Sequence, residues 1–218
     1  MIQDYEHLPI GKYLQILELA KGEDNDISIV SVLSDKTEDE LLNMPLTEYR
    51  DLAERAGFLF YQPTPAKARK EYTLAGKKLR IEQKMERITT AQYIDFKEYA
   101  KAGETDVCRY LSVFLVPEGK NYNDGYDVDE VRDLIAESLP TPDALGIRDF
   151  FVKRLGRLIA ATLTYSRLMA AKITDPKEKK KAKMKIAAVQ AFLTSGDGYA
   201  MLTSLRNSPA GVGTRYMR

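Results

Sequence analysis

Residues 89–116 read TTAQYIDFKEYAKAGETDVCRYLSVFLV, and an earlier stretch, residues 11–33, GKYLQILELAKGEDNDISIVSVL, repeats the plan of its first half. Offset by 80 positions, Tyr13 meets Tyr93, Leu14 meets Ile94, Ile16 meets Phe96 and Glu18 meets Glu98. Ala20, Lys21 and Asp26 then meet Ala100, Lys101 and Asp106, and one inserted residue later Ser31-Val32 meets Ser112-Val113. Each copy offers a short amphipathic helix, a polar break with an acidic residue, and an apolar run. Internal similarity bears on the fold before any other feature, because a repeated unit changes the architecture to be expected. Two copies are too few for a solenoid, and amphipathic helices resemble one another by chance. Duplication of 11–33 as 91–114 and coincidence therefore both stay open. Either way the fold class expected is mainly α.

Working outward, 218 residues are enough for one large domain or two small ones with a hydrophobic core. Hydrophobic residues at 44% and charged residues at 30% argue against a disordered chain. A net charge of +1 supplies no global field to steer the whole molecule to nucleic acid or membrane. Cys108 is the single cysteine, which excludes an internal disulfide framework and fits a reducing compartment. The start, MIQDYEHLPIGKYL, has no basic region followed by an apolar one, so no signal peptide is expected. No apolar run reaches the roughly 18 residues that a spanning helix needs.

Residues 1–60 read as an N-terminal helical subdomain. Pro9 marks a helix start, and Tyr13, Leu14, Ile16, Leu17 and Ala20 form a stripe at helical spacing. The run 27–33 is ambiguous between strand and helix; its helical neighbours favour helix. Thr37-Glu38-Asp39-Glu40 has the form of a capping box, predicting a short helix to Met44 that Pro45 stops. Thr47-Glu48 is expected to open another helix, ended by Gly57.

Residues 61–87 change character. Gln62-Pro63-Thr64-Pro65 reads as a linker and Lys67, Arg69 and Lys70 as a basic cluster. Tyr72-Thr73-Leu74, Ala75-Gly76-Lys77 and Leu79-Arg80-Ile81 then read as one β-hairpin with glycine at its turn. A lone hairpin is marginal, so it is expected to pack on the helices or to pair with another chain. Residues 88–140 form the second helical copy. Thr89 or Thr90 is the expected cap, Pro117 closes the apolar run, and Asp127 caps a helix through Val131, Leu134 and Ile135. Residues 141–218 hold long basic helices and a tail. A helix capped by Thr141 is expected over 143–173, and a lysine-rich one from Asp175-Pro176. A last short helix is expected over 199–205, and the tail 207–218 is expected to be loose unless a partner holds it.

Reactive constellations are sparse. His7 is the only histidine and sits in a terminal segment, where a surface or packing role outweighs that of a catalytic base. Cys108 lies in an apolar run, where a thiol usually acts as a small buried hydrophobe. One Cys and one His cannot make a structural zinc site. Residues 120–131 fail as an EF-hand loop: with Gly125 at the sixth position, the first would be Lys120 and the twelfth Val131. Gly196-Asp197-Gly198 and Gly211-Val212-Gly213 lack the strand and helix of a dinucleotide site, and no Walker sequence is present. The pairs Asp95/Glu98 and Asp129/Asp133 suit a solvated helix face. No enzyme, metal site or cofactor is expected.

The strongest compositional bias is basic. Between residues 142 and 185 twelve Lys and Arg stand against four Asp and Glu. Arg154, Arg157, Lys177, Lys180, Lys181 and Lys183 form a candidate patch for phosphates or an acidic protein. A soluble, exposed helix face gives the same pattern. No aromatics are interleaved with the lysines, which argues against a single-strand stacking platform.

Two segments, ITTAQYIDFKEYAK and FLVPEGKNYNDGYDVDEVRDLIAESLPTPDALGIRDFFVKRL, carry a family resemblance. The chain resembles virion-morphogenesis proteins of tailed bacteriophages, including phages of gut Bacteroidetes and the crAss-like group. The shared pattern is a Q-Y-I-D-F helix at 89–96, an apolar run, a V-P-x-G-x-x-Y loop at 116–122, and a long helix after Asp143-Ala144-Leu145. The resemblance covers about residues 88–160 and brings no catalytic residues. It implies a tail-assembly chaperone or small virion component, present in the host cytoplasm during assembly or in the virion. The residues agree in kind: a helical, non-enzymatic binding module acting on other phage assembly proteins or on its own copies. The expected interface is the hairpin edge at Tyr72, Leu74, Leu79 and Ile81, by strand addition, together with the exposed side of the long helix. The alternative is a nucleic-acid-associated protein using the basic helices. No membrane partner is expected.

Overall fold

A computed structural model of the chain describes residues 1–22, 25–81, 87–100, 107–122 and 124–194. In chain order the helices are α1 (Ile10–Leu19), α2 (Asp26–Ser34), α3 (Glu38–Leu42) and α4 (Leu46–Arg55), followed by a 3₁₀ turn, Ala56–Phe60. Strands β1 (Glu71–Leu74) and β2 (Lys77–Ile81) come next, then α5 (Thr90–Ala100), α6 (Val107–Phe114) and β3 (Leu115–Pro117). Helices α7 (Val128–Ser138), α8 (Thr141–Ala171) and α9 (Pro176–Thr194) complete the described chain. The protein is mainly helical with one small antiparallel sheet, ordered β1-β2-β3.

Local chemistry explains most boundaries. The Thr37 hydroxyl accepts the Glu40 amide at 3.2 Å and Glu40 accepts the Thr37 amide at 2.7 Å, so the expected capping box starts α3. Asp127 accepts the Asp129 amide at 2.8 Å and caps α7, and Asp175 accepts the Lys177 amide at 3.0 Å at the head of α9. The ambiguous run 27–33 is helical.

Two expected boundaries differ. Helix α4 begins at Leu46, directly after Pro45, and Gly57 lies inside the 3₁₀ turn rather than ending the helix. Thr141 does not cap α8: Pro140 stands at the cap, and the buried Thr141 hydroxyl donates to the Leu8 carbonyl at 2.7 Å. The reason is tertiary. Residues 8–10 run beside 139–141, with Ile10 N–H on the Leu139 carbonyl and Thr141 N–H on that of Leu8, both at 2.9 Å.

Helix α7 is the centre of the packing, with α1 and α6 against it and the start of α8 against both of these. A continuous core joins Leu8, Ile16, Leu33, Leu79, Leu111, Leu115, Ile135, Ile147 and Phe151, all nearly or wholly buried. It therefore draws on 1–60, 61–87, 88–140 and the head of 141–218 alike. No described side chain of α8 beyond Val152 belongs to this core, and there α8 lies against α9.

The related segments both fold as helix pairs, α1–α2 and α5–α6. They occupy different places: α1 packs on α7, whereas in the second pair α6, the counterpart of α2, does so. Burial follows. Ile16 and Phe96 are both buried, but Ser31 and Val32 are half-buried where Ser112 and Val113 are wholly buried.

The hairpin is not alone. Its turn is the expected Ala75-Gly76, and Leu79, Arg80 and Ile81 of β2 pair with Pro117, Val116 and Leu115 of β3. The apolar run after Cys108 thus starts as helix and ends as strand, which makes the sheet three-stranded. Apolar residues buried on all sides look alike in either state, so only the partner strand decides.

Candidate interaction surfaces

Residues from the two segments that carry the resemblance meet in space. Thr89 and Gln92 form a capping box on α5: Gln92 N–H donates to the Thr89 hydroxyl at 3.1 Å, and Thr89 N–H to the Gln92 carboxamide oxygen at 3.0 Å. The buried Gln92 carboxamide nitrogen donates to the Val113 carbonyl at 2.9 Å, two residues before β3 begins. About one turn further along the same side of α5, Asp95 accepts the Tyr122 hydroxyl at 2.8 Å. Tyr122 packs edge-on against Tyr126 at 6.5 Å, and the Arg109 guanidinium lies over the Tyr99 ring at 4.7 Å. Burial, and then the Asp95 carboxylate, push the Tyr122 hydroxyl well above its usual range. It donates as a neutral phenol. The Q-Y-I-D-F helix and the V-P-x-G-x-x-Y loop are therefore two halves of one clasp.

The expected hairpin interface needs correction. Tyr72, Leu74, Leu79 and Ile81 are 1–6% exposed, so these side chains belong to the core. They face inward because α6 and α7 cover that side of the sheet, and the exposed alternates are Glu71, Thr73, Lys78 and Arg80. β1 stays at the sheet edge, where strand addition would use main-chain groups. Arg69 of the basic cluster is engaged within the chain, on Asp143 at 2.5 Å and over the Tyr72 ring at 4.7 Å.

The basic helices do present their charges. Arg157, Lys177, Lys180, Lys181 and Lys183 are exposed and Arg154 is half-buried, its guanidinium 4.7 Å from the Phe150 ring centre. Among the described residues no salt bridge engages Arg157, Lys177, Lys180, Lys181 or Lys183. Tyr165, Leu168, Met169 and Met184 stand exposed on the same two helices.

Sequence reasoning missed a second surface. An apolar groove of about 240 Å³ lies between α2 and α4, lined by Ile29, Val30, Tyr49, Ala53, Leu59 and Phe60, with Asp26 at its edge. Leu42, Leu46, Phe60 and Tyr61 nearby are 46–74% exposed. No sequence signal separates such residues from core ones, since the apolar spacing of a helix does not tell which turns are covered. A shallower cleft of about 470 Å³ between β2–β3 and α7 has its charges matched, Lys77 with Glu130 and Lys78 with Glu118.

The reactive side chains stay apart. Cys108 is buried and in no disulfide, and His7 is exposed with its Nδ1 2.7 Å from Asp4. Among the described residues no group of three or more His, Cys, Asp or Glu is placed to hold a metal ion, and no helix is long and apolar enough to cross a membrane. The expected helix at 199–205 and the tail 207–218 lie outside the described residues. Compared with protein-family models, curated protein sequences and solved structures, the chain matches none.

Proposed function

We propose that this chain is a non-enzymatic protein of tailed-phage virion morphogenesis, a tail-assembly chaperone or small virion component, acting through protein–protein contacts. The observation that carries this reading is the clasp. Thr89, Gln92, Asp95 and Tyr122, which bear the resemblance, tie α5 to the α6–β3 junction and the following loop. A pattern shared for such reasons is the signature of a fold, whereas an enzyme pattern would converge on a reacting centre. Exposed apolar side chains at two places, on α3–α4 and on α8–α9, supply surfaces of the kind partner proteins bury. On this reading the protein works in the host cytoplasm while particles assemble, and stays in the virion if it is a component.

The test is affinity capture of the tagged full chain from its native source, with and without nuclease, followed by mass spectrometry. Head or tail proteins retained after nuclease are the expected result. Recovery that vanishes with nuclease would overturn the reading. It would favour the second one, a nucleic-acid-associated protein, which the exposed Lys177, Lys180, Lys181 and Lys183 of α9 support. That reading predicts affinity for duplex DNA falling linearly on a log–log salt plot, with a slope of about −0.9 per phosphate contact.

A further inference from the structure

We propose that the chain associates with itself head to tail, the acidic face of α3–α4 in one copy receiving the basic α8–α9 hairpin of a second copy. The two faces are complementary in charge. From residue 38 to residue 55 six carboxylates stand against two arginines, and from 142 to 185 twelve bases stand against four acids. A net charge of +1 therefore conceals a strongly polarised molecule.

Four carboxylates of α3–α4 and three lysines of α9 enter no salt bridge among the described residues. Asp39, Glu48, Asp51 and Glu54 are exposed, and no salt bridge among the described residues engages them or joins α3–α4 to α8–α9. On α9, Lys177, Lys180 and Lys181 stand three and four residues apart near the helix N-terminus. Like charges at that spacing repel, and cations at that end oppose the helix dipole. A carboxylate-rich partner relieves both.

The faces also match in apolar content. Leu42 and Leu46 stand exposed on α3 and α4 themselves, and the exposed Phe60 lines the groove together with Asp26. Met184, 65% exposed, stands among the lysines, and Tyr165, Leu168 and Met169 extend the same arm. Phosphate binding by lysines leaves those four side chains without a role; the exposed apolar side chains of α3–α4 and the groove of about 240 Å³ beside them give them one. Because the two faces differ, each added copy leaves one of each kind free. Growth therefore continues beyond a dimer unless a ring closes.

Sedimentation velocity of the full chain tests this at about 50 mM and about 500 mM salt, a change that shortens the Debye length roughly threefold. Species larger than a dimer are expected at low salt and high protein concentration, dissociating at high salt. Two charge-reversed variants give the decisive comparison: Glu48→Lys/Asp51→Lys/Glu54→Lys, and Lys177→Glu/Lys180→Glu/Lys181→Glu. Each alone should associate at least about tenfold more weakly, and an equimolar mixture should associate again, because each now complements the other. Leu42→Ser/Leu46→Ser alters no charge and should also weaken association, which keeps the test open if a reversed variant fails to fold by circular dichroism. A monomeric wild type at low salt, reversed variants that sediment like wild type, or a mixture that stays monomeric would each overturn the proposal. So would low-salt association that nuclease abolishes. The capture of phage proteins is read independently, so either proposal can fail without the other.

Discussion

At the scale of single residues, the hairpin turn holds a small strain. Ala75 sits at φ 43° and Gly76 at φ 80°, in a two-residue loop between paired Leu74 and Lys77. Such a turn needs positive φ at both positions, and alanine is poorly suited to the first. Ala75→Asn should stabilise the protein by about 1 kcal/mol, read as a higher urea midpoint at unchanged slope. The Asp95–Tyr122 bond acts in the opposite direction. Tyr122→Phe removes one donor and should cost about 1 kcal/mol, and a double-mutant cycle with Asp95→Ala should show coupling of that order. The cap residues Thr37 and Asp127 were legible in the sequence because their chemistry is local. The contact from Asp95 to Tyr122, 27 residues on, was not, since nothing near either residue encodes the other.

At the scale of elements, α8 shows how one helix serves two purposes. Its head lies in the core, and there Gly146 meets the linker. A Cβ built on Gly146 would come within 1.9 Å of the Ala66 carbonyl oxygen, while Ala66 N–H donates to the Pro142 carbonyl at 2.8 Å. Gly146→Ala must push the linker off the helix and should cost about 1–3 kcal/mol, the range for overpacking, measured by denaturant unfolding. In the sequence Gln62-Pro63-Thr64-Pro65 reads as a linker or turn and Lys67, Arg69 and Lys70 as a basic cluster; in the structure this stretch is strapped to α8 by Ala66 and Arg69. The helix periods, proline boundaries and hairpin were readable because each rests on neighbours in sequence. The third strand was not, because Leu115–Pro117 acquires its state from β2. The same cause misassigned Tyr72, Leu74, Leu79 and Ile81 to a surface: alternation marks two faces of a strand without saying which one a helix will cover.

At the scale of the whole molecule, buried tyrosines tie stability to alkaline pH. Burial raises Tyr5, Tyr72, Tyr110 and Tyr122 above the ordinary phenol value, with Asp95 adding to the shift at Tyr122. The fold thus favours their neutral forms. Their contribution is fully present below about pH 10, the unfolded value, and is lost as pH rises through the folded values. No tryptophan interferes, so absorbance at 295 nm reports tyrosinate alone. The expected titration has a late phase, in which these four and Tyr49, also raised by burial, ionise together with loss of helical circular dichroism. Ionisation of all thirteen in one early phase would contradict the packing described. Four spread positions, from Tyr5 to Tyr122, make this a probe of the joint core.

On the proposed function, this chain serves particle assembly through its surfaces. The most direct measurement is electron microscopy of particles produced from the native source after the reading frame is interrupted. Incomplete particles are expected, with heads and tails missing or unjoined, restored when the wild-type chain is supplied in trans. Complete particles at normal yield without the chain would contradict it.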